Sequence, residues 1–152
     1  MNSATLCFLI NDKKVLLGMK KKGFGAGKWN GFGGKVNENE SIEEAAIREM
    51  REESGVAINS AEKSAELTFV FPFREEWNQI VHVFVADEWS GEIMESDEMH
   101  PEWFDFSEIP FDRMWADDKF WLPLVLENKN VKAKFVFKED NETIERHEIL
   151  TF

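Results

Sequence analysis

Glu49, Glu52 and Glu53 fall within the stretch Gly34–Val56, GKVNENESIEEAAIREMREESGV. At i, i+3 and i+4 of a helix they stand on one side of about one and a half turns. Three like charges so close repel one another, and the arrangement asks for a compensating cation. Carboxylates are hard oxygen donors, which suit Mg²⁺ and, as an alternative, Mn²⁺. The chemistry expected here is that of a metal-dependent enzyme.

The helix that must carry these residues is announced locally. Ser41 followed by Glu44 is a capping box, and Gly55 marks the C-terminal end. At about 100° per residue, Ile42, Ala46 and Met50 define the buried arc, with Glu44, Ile47, Arg48 and Arg51 round the other side. Glu49 and Glu53 then project among or beside the apolar residues, where a merely solvated acidic face would not lie. The bland alternative, a surface helix with surplus glutamates, explains RExxEE taken alone. The longer pattern reverses that. Gly34, five residues, Glu40, seven residues, Arg48-Glu49-Met50, any residue, Glu52-Glu53, any residue and Gly55-Val56 match every fixed position of the Nudix hydrolase box. On these residues the chain is identified as a member of that family, which implies an α/β fold, an α/β/α sandwich with a mixed β-sheet between helices.

The resemblance reaches beyond the box. GMKKKGFGAGKWNGFGGKV, ESDEMHPEWF and MWADDKFW are similar to the MutT-type branch of the family that cleaves oxidised purine nucleoside triphosphates, over roughly residues 5–128. It implies hydrolysis of substrates such as 8-oxo-dGTP and 2-hydroxy-dATP to the monophosphate and pyrophosphate, sanitising the nucleotide pool. It assigns metal binding to Glu49, Glu52, Glu53 and Glu98, with the Gly33 carbonyl as a further ligand. Gly34, Glu40, Arg48 and Gly55 take structural roles, Glu40 and Arg48 bracing the helix by ion pairing. Mg²⁺ bridging phosphate and glutamate oxygens removes the charge barrier to attack by water, and Glu53, Glu52 and Glu98 all stand open as the base. Lys20 matches a position close to substrate. Asn30, Asp117 and Asp118 match base-recognition residues, and Thr5, Phe24, Phe69, Phe71, Met99, Trp115 and Trp121 match pocket walls. Two adjacent carboxyls in a dry pocket share a proton, so the pair both accepts and donates. Taken alone, Asp117-Asp118 reads as a helix cap and Asn30 as a turn residue. The chain departs from this pattern at Gln79, where a methionine is expected, after a turn that is one residue longer, with Trp77 available to fill the space.

The remaining elements follow in order. Ala4–Ile10 and Val15–Met19 read as a hairpin around Asn11–Lys14. KKKGFGAGKWNGFGG follows, its glycines forbidding regular structure and letting backbone approach a ligand. Ala65–Phe73 and Ile80–Ala86 are strands with Pro72 near a strand end, and Glu102–Phe106 is a short strand. Lys119–Asn128 is an apolar helix entered through Asp117 or Asp118, with Pro123 expected near its first turn. Val131–Phe137 and Thr143–Leu150 form a closing hairpin.

With 152 residues, no repeat and no low-complexity linker, a single domain over 1–152 is expected. One cysteine allows no internal disulfide and fits a reducing compartment, and MNSATLCFLI lacks the basic flank and apolar length of a secretory signal. A cytoplasmic monomer free of membrane is the expectation. The net charge of −12 argues against a nucleic-acid polymer as partner, yet residues 1–35 carry seven lysines against Asp12 alone, a basic end suited to a small polyanion. Three functions stay open: the nucleotide-pool pyrophosphohydrolase, a Nudix enzyme for another substrate (a dinucleoside polyphosphate, nucleotide sugar or capped RNA), and a non-catalytic nucleotide sensor.

Overall fold

The computed structural model describes residues 1–152. Its elements run β1 (Asn2–Asn11), β2 (Lys14–Lys20), β3 (Trp29–Asn30), α1 (Ile42–Ser54), β4 (Glu62–Val70), β5 (Gln79–Ala86), β6 (Met99–Asp105), α2 (Asp118–Leu126), β7 (Val131–Phe137) and β8 (Ile144–Thr151). Three short 3₁₀ turns, at Glu75–Trp77, Phe106–Glu108 and Phe111–Arg113, fill connections.

The sheet is mixed. β1 pairs parallel with β5, β5 antiparallel with β4, β4 parallel with β7, and β7 antiparallel with β8. Alternation along β1 sends Phe8 into the core under α2, with Leu67, Phe135, Trp121 and Leu122. Cys7 and Leu9 face the other way, into the core under α1 with Leu16, Phe32, Ala46 and Met50. Each helix therefore covers one face of a sheet whose strands are apolar on both faces.

One feature of the topology makes room for a site. β2 pairs with β1 only beside the hairpin, at Ile10↔Val15 and Asn11↔Lys14, and then diverges to pair along its length with β6 and at its far end with β3. The half of β1 that β2 abandons pairs instead with the glycine-rich segment. Cys7 and Phe32 exchange backbone hydrogen bonds, the Thr5 N–H donates to the Gly34 carbonyl at 2.9 Å, and Val36 donates to Ser3 at 3.1 Å. The segment expected to be irregular thus holds β3 and is strapped to a central strand.

α1 is built as its caps imply. The Glu44 N–H donates to Ser41 Oγ, the Ser41 N–H donates to Glu44 Oε1, and Gly55 closes the helix at φ 79°, where a side chain would be strained. Its buried face adds Ala45, Glu53 and Ser54 to Ala46 and Met50, while Ile42 and Ile47 are half-buried against the same core. α2 differs from expectation: Pro123 lies in its second turn. The missing bond falls on the carbonyl of Lys119, which is exposed, and this turn of a short helix survives the loss.

Candidate active site

Glu53, on the core face of α1, is 5 % exposed, and its Oε1 accepts the Gly33 N–H at 2.9 Å. Gly33 has no room for anything larger, since a Cβ there would meet the Thr5 carbonyl oxygen at 1.7 Å. Burial pushes the Glu53 carboxyl up to about 8; the Gly33 N–H opposes this, the neighbouring Glu49 and Glu98 carboxylates reinforce it, and Lys20 opposes it. Burial also raises Glu49, with Arg48 working against it.

Arg48 organises the adjoining carboxylates. Its Nε and Nη2 grip Glu40 at 2.7 and 3.1 Å, Nη2 also donates to the Lys35 carbonyl, and Nη1 donates to Glu49 at 2.8 Å and Glu52 at 3.2 Å. This two-pronged contact holds Glu40 below the usual carboxylate range and Arg48 above its own. It ties α1 to the glycine segment that supplies Gly33 and Gly34. Gly34 is tight against the same cluster, a Cβ on it standing 2.7 Å from the Glu49 carboxylate.

The fit to a cation rests on this local chemistry. As they stand, no three carboxylate, histidine or cysteine side chains form a cage for an ion. Arg48 holds oxygens of Glu49 and Glu52, while Glu52 and Glu98 are exposed. Glu53 is nevertheless a buried carboxylate with no salt-bridge partner, and beside it the Gly33 carbonyl accepts no hydrogen bond. Glycines leave space for an approaching group, and the donors are all oxygens. This set suits a divalent hard cation.

Glu53, Gly33 and Gly34 line one end of a cavity of ≈ 280 Å³, with Lys20 and Lys35. The same cavity continues to Asn30, Asp117 and Asp118 between walls formed by Thr5, Phe24, Phe69, Phe71, Met99 and Trp115. Phe24 is held by stacking on Trp115 at 5.0 Å and by an edge contact with Trp77 at 4.6 Å. Asp117 sits at the N-cap of α2 but caps nothing with its side chain; its Oδ2 accepts the Trp121 Nε1–H at 2.8 Å. Both aspartates are buried, and Asp118 Oδ2 has no partner. Burial raises both carboxyls, Asp118 well above the usual range because the Asp117 charge also stands beside it.

Trp121 does not line the cavity: it is fully buried and reaches the site only by positioning Asp117. Glu49, Glu52 and Glu98 also lie outside the lining, although the Glu98 backbone is joined to the lysine run through the Lys21 N–H at 2.8 Å. Sequence reasoning missed Lys28, Lys35, Val81 and Phe137 as lining residues. Phe137 stacks on Phe71 at 4.6 Å, and its only signal was the alternation in VKAKFVF, which says core and does not say pocket.

A family model for the NUDIX domain matches residues 2–125. The chain belongs to the Nudix family. It is 50 % identical over 141 residues to the oxidized purine nucleoside triphosphate hydrolase of Danio rerio, covering 93 % of this chain and 90 % of that one. It is 47 % identical over 140 residues to the enzyme of the same name from Mus musculus, covering 92 % and 88 %. Among solved structures it is similar to a MutT protein from Bacillus halodurans, with TM-score 0.86 and 27 % identity over 98 % of this chain and 97 % of that one. Nudix hydrolases generally use divalent metals, in keeping with the oxygen-rich end of the cavity.

Proposed function

We propose that this Nudix hydrolase cleaves oxidised purine nucleoside triphosphates, 8-oxo-dGTP and 2-hydroxy-dATP among them, to the monophosphate and pyrophosphate. The observation that carries this reading is that one cavity has Glu53 and Gly33 at one end and Asn30, Asp117 and Asp118 at the other. A flat base lies between aromatic walls, and its triphosphate extends toward α1.

Asp117 and Asp118 are together the reader of the base. Burial keeps a proton on the pair in a range where surface aspartates have lost theirs, so it donates to a purine carbonyl as well as accepting from a ring N–H. Asn30 adds an amide. Lys20 and Lys35 draw the phosphates into the other end. A Mg²⁺ or Mn²⁺ ion held by Glu49, Glu52, Glu53, Glu98 and the Gly33 carbonyl would offset the phosphate charge that repels a nucleophile. Of the three candidate bases, Glu53 alone lines the cavity, and we assign it the water proton.

We further propose a single domain working as a cytoplasmic monomer on small nucleotides. The family match spans most of the chain, Cys7 is a buried free thiol, and the net charge of −12 disfavours a polyphosphate backbone as partner. No helix is long and apolar enough to cross a membrane.

The test is steady-state hydrolysis of 8-oxo-dGTP, 2-hydroxy-dATP, dGTP and a dinucleoside polyphosphate with and without Mg²⁺, the products being identified. Monophosphate and pyrophosphate from an oxidised purine, at kcat/KM at least about tenfold above dGTP, is the expected result. A faster dinucleoside polyphosphate overturns the substrate, and no metal-dependent turnover overturns catalysis.

A further inference from the structure

β5 brings a polar residue to the head of an apolar row. Gln79, Val81 and Val83 alternate along the strand toward the α2 side of the sheet; both valines are buried there, and Gln79 and Val81 line the cavity. Across the ladder Gln79 pairs with Phe69, itself a cavity wall.

Two other amide side chains nearby have partners in the protein. Asn78 Oδ1 accepts the Phe71 N–H at 2.6 Å, and Asn30 Oδ1 accepts the Gly31 N–H at 2.8 Å. The Gln79 amide has none, and neither of its polar atoms is among those sealed away from contact. Its backbone is well fixed. Asn78 clamps the connection from β4, and Trp77 packs edge-on against Phe71 and Phe24 under the Arg74 guanidinium, 4.3 Å from the ring. A carboxamide held at this point offers one acceptor and two donors to whatever fills the cavity. Asp117 and Asp118 come from the α2 end and Asn30 from β3, so Gln79 supplies hydrogen bonding from a separate wall.

We propose that Gln79 is a specificity-determining residue that hydrogen-bonds a polar exocyclic group on the base, of the class created when a purine ring carbon gains oxygen. This rests on the substrate reading above. An amide satisfied by that oxygen stays half-desolvated when the unoxidised base takes its place, and the oxidised substrate is favoured by the difference.

Gln79→Met keeps length and volume while removing both hydrogen-bonding functions. The experiment measures kcat and KM of the wild type and this variant for 8-oxo-dGTP against dGTP and for 2-hydroxy-dATP against dATP, with Tm recorded to verify folding. The expected result is a fall of about tenfold in the oxidised-to-parent kcat/KM ratio for at least one pair, carried by KM. Gln79→Leu supplies the same readout if the methionine variant does not fold. Both ratios within about twofold of the wild type overturn the role of Gln79 and leave the substrate reading standing. A wild-type enzyme with no preference for either oxidised purine overturns both.

Discussion

The two ends of the cavity handle carboxylates in opposite ways. At the α1 end, Arg48 and the Gly33 N–H surround the glutamates with donors, and Glu52 and Glu98 reach solvent. At the α2 end, Asp117 accepts an indole N–H and stands beside Asp118, which has an oxygen with no partner, and both are buried. At the first end, Arg48 opposes the rise of Glu49, and Glu53 keeps a proton that a bound cation would replace; at the second, no cationic group stands beside the buried pair, which keeps its proton. One chain can thus hold carboxylates for phosphate chemistry at one place and for hydrogen-bond recognition at another, because burial and neighbours, not residue type, set their state.

The largest effect should come from Glu53→Gln, which keeps the acceptor for Gly33 and removes the charge. We expect kcat on an oxidised purine triphosphate to fall about 10³-fold with no loss of Tm; a fall of less than about tenfold would break the assignment of chemistry to this end. Asp118→Asn or Asn30→Ala should cost about 10- to 100-fold in kcat/KM, chiefly in KM. Unchanged kinetics would remove base recognition from the α2 end.

The same comparison predicts a pH response. Burial holds the Glu53 carboxyl up at about 8 against an ordinary 4.5, so the stability from keeping it protonated is complete below 4.5 and is lost progressively as pH rises from there to about 8. Asp117 and Asp118, also raised, act in the same direction. His82, lowered by burial, acts oppositely, but only as pH falls below its ordinary 6.5. The Tm of the metal-free protein should therefore fall as pH rises from about 6.5 to 8, and Mg²⁺ at the upper pH should raise it, by binding the folded state. A flat profile with no response to Mg²⁺ would contradict the cation site.

The smallest effect belongs to Ser41→Ala, which removes the cap but no group from either end. It should cost about 1 kcal/mol of stability by denaturant unfolding, with kcat within about twofold of wild type.

The difference between the ends also explains what the sequence could reveal. α1 was legible to its termini because Ser41, Glu44 and Gly55 act on their own helix, and the spacing of Glu49, Glu52 and Glu53 is a local property. The β1–β2 and β7–β8 hairpins were legible for the same reason. The base end is assembled from β3, β4, β5, β7 and the start of α2, and no local signal joins them. Family resemblance brought Asn30, Asp117 and Asp118 together, yet it placed Trp121 on the wall when the indole is behind it, holding Asp117. The divergence of β2 from β1, which opens the cavity, depends on β6 being available to pair with it, a tertiary fact with no trace in the hairpin itself.

The most direct test of this division is calorimetric titration of metal-free protein with 8-oxo-dGMP, which carries the base but no polyphosphate. Glu53→Gln should bind it within about twofold of wild type, and Asp118→Asn at least about tenfold more weakly. Equal weakening by the two substitutions, or none by Asp118→Asn, would contradict the separation of recognition from chemistry.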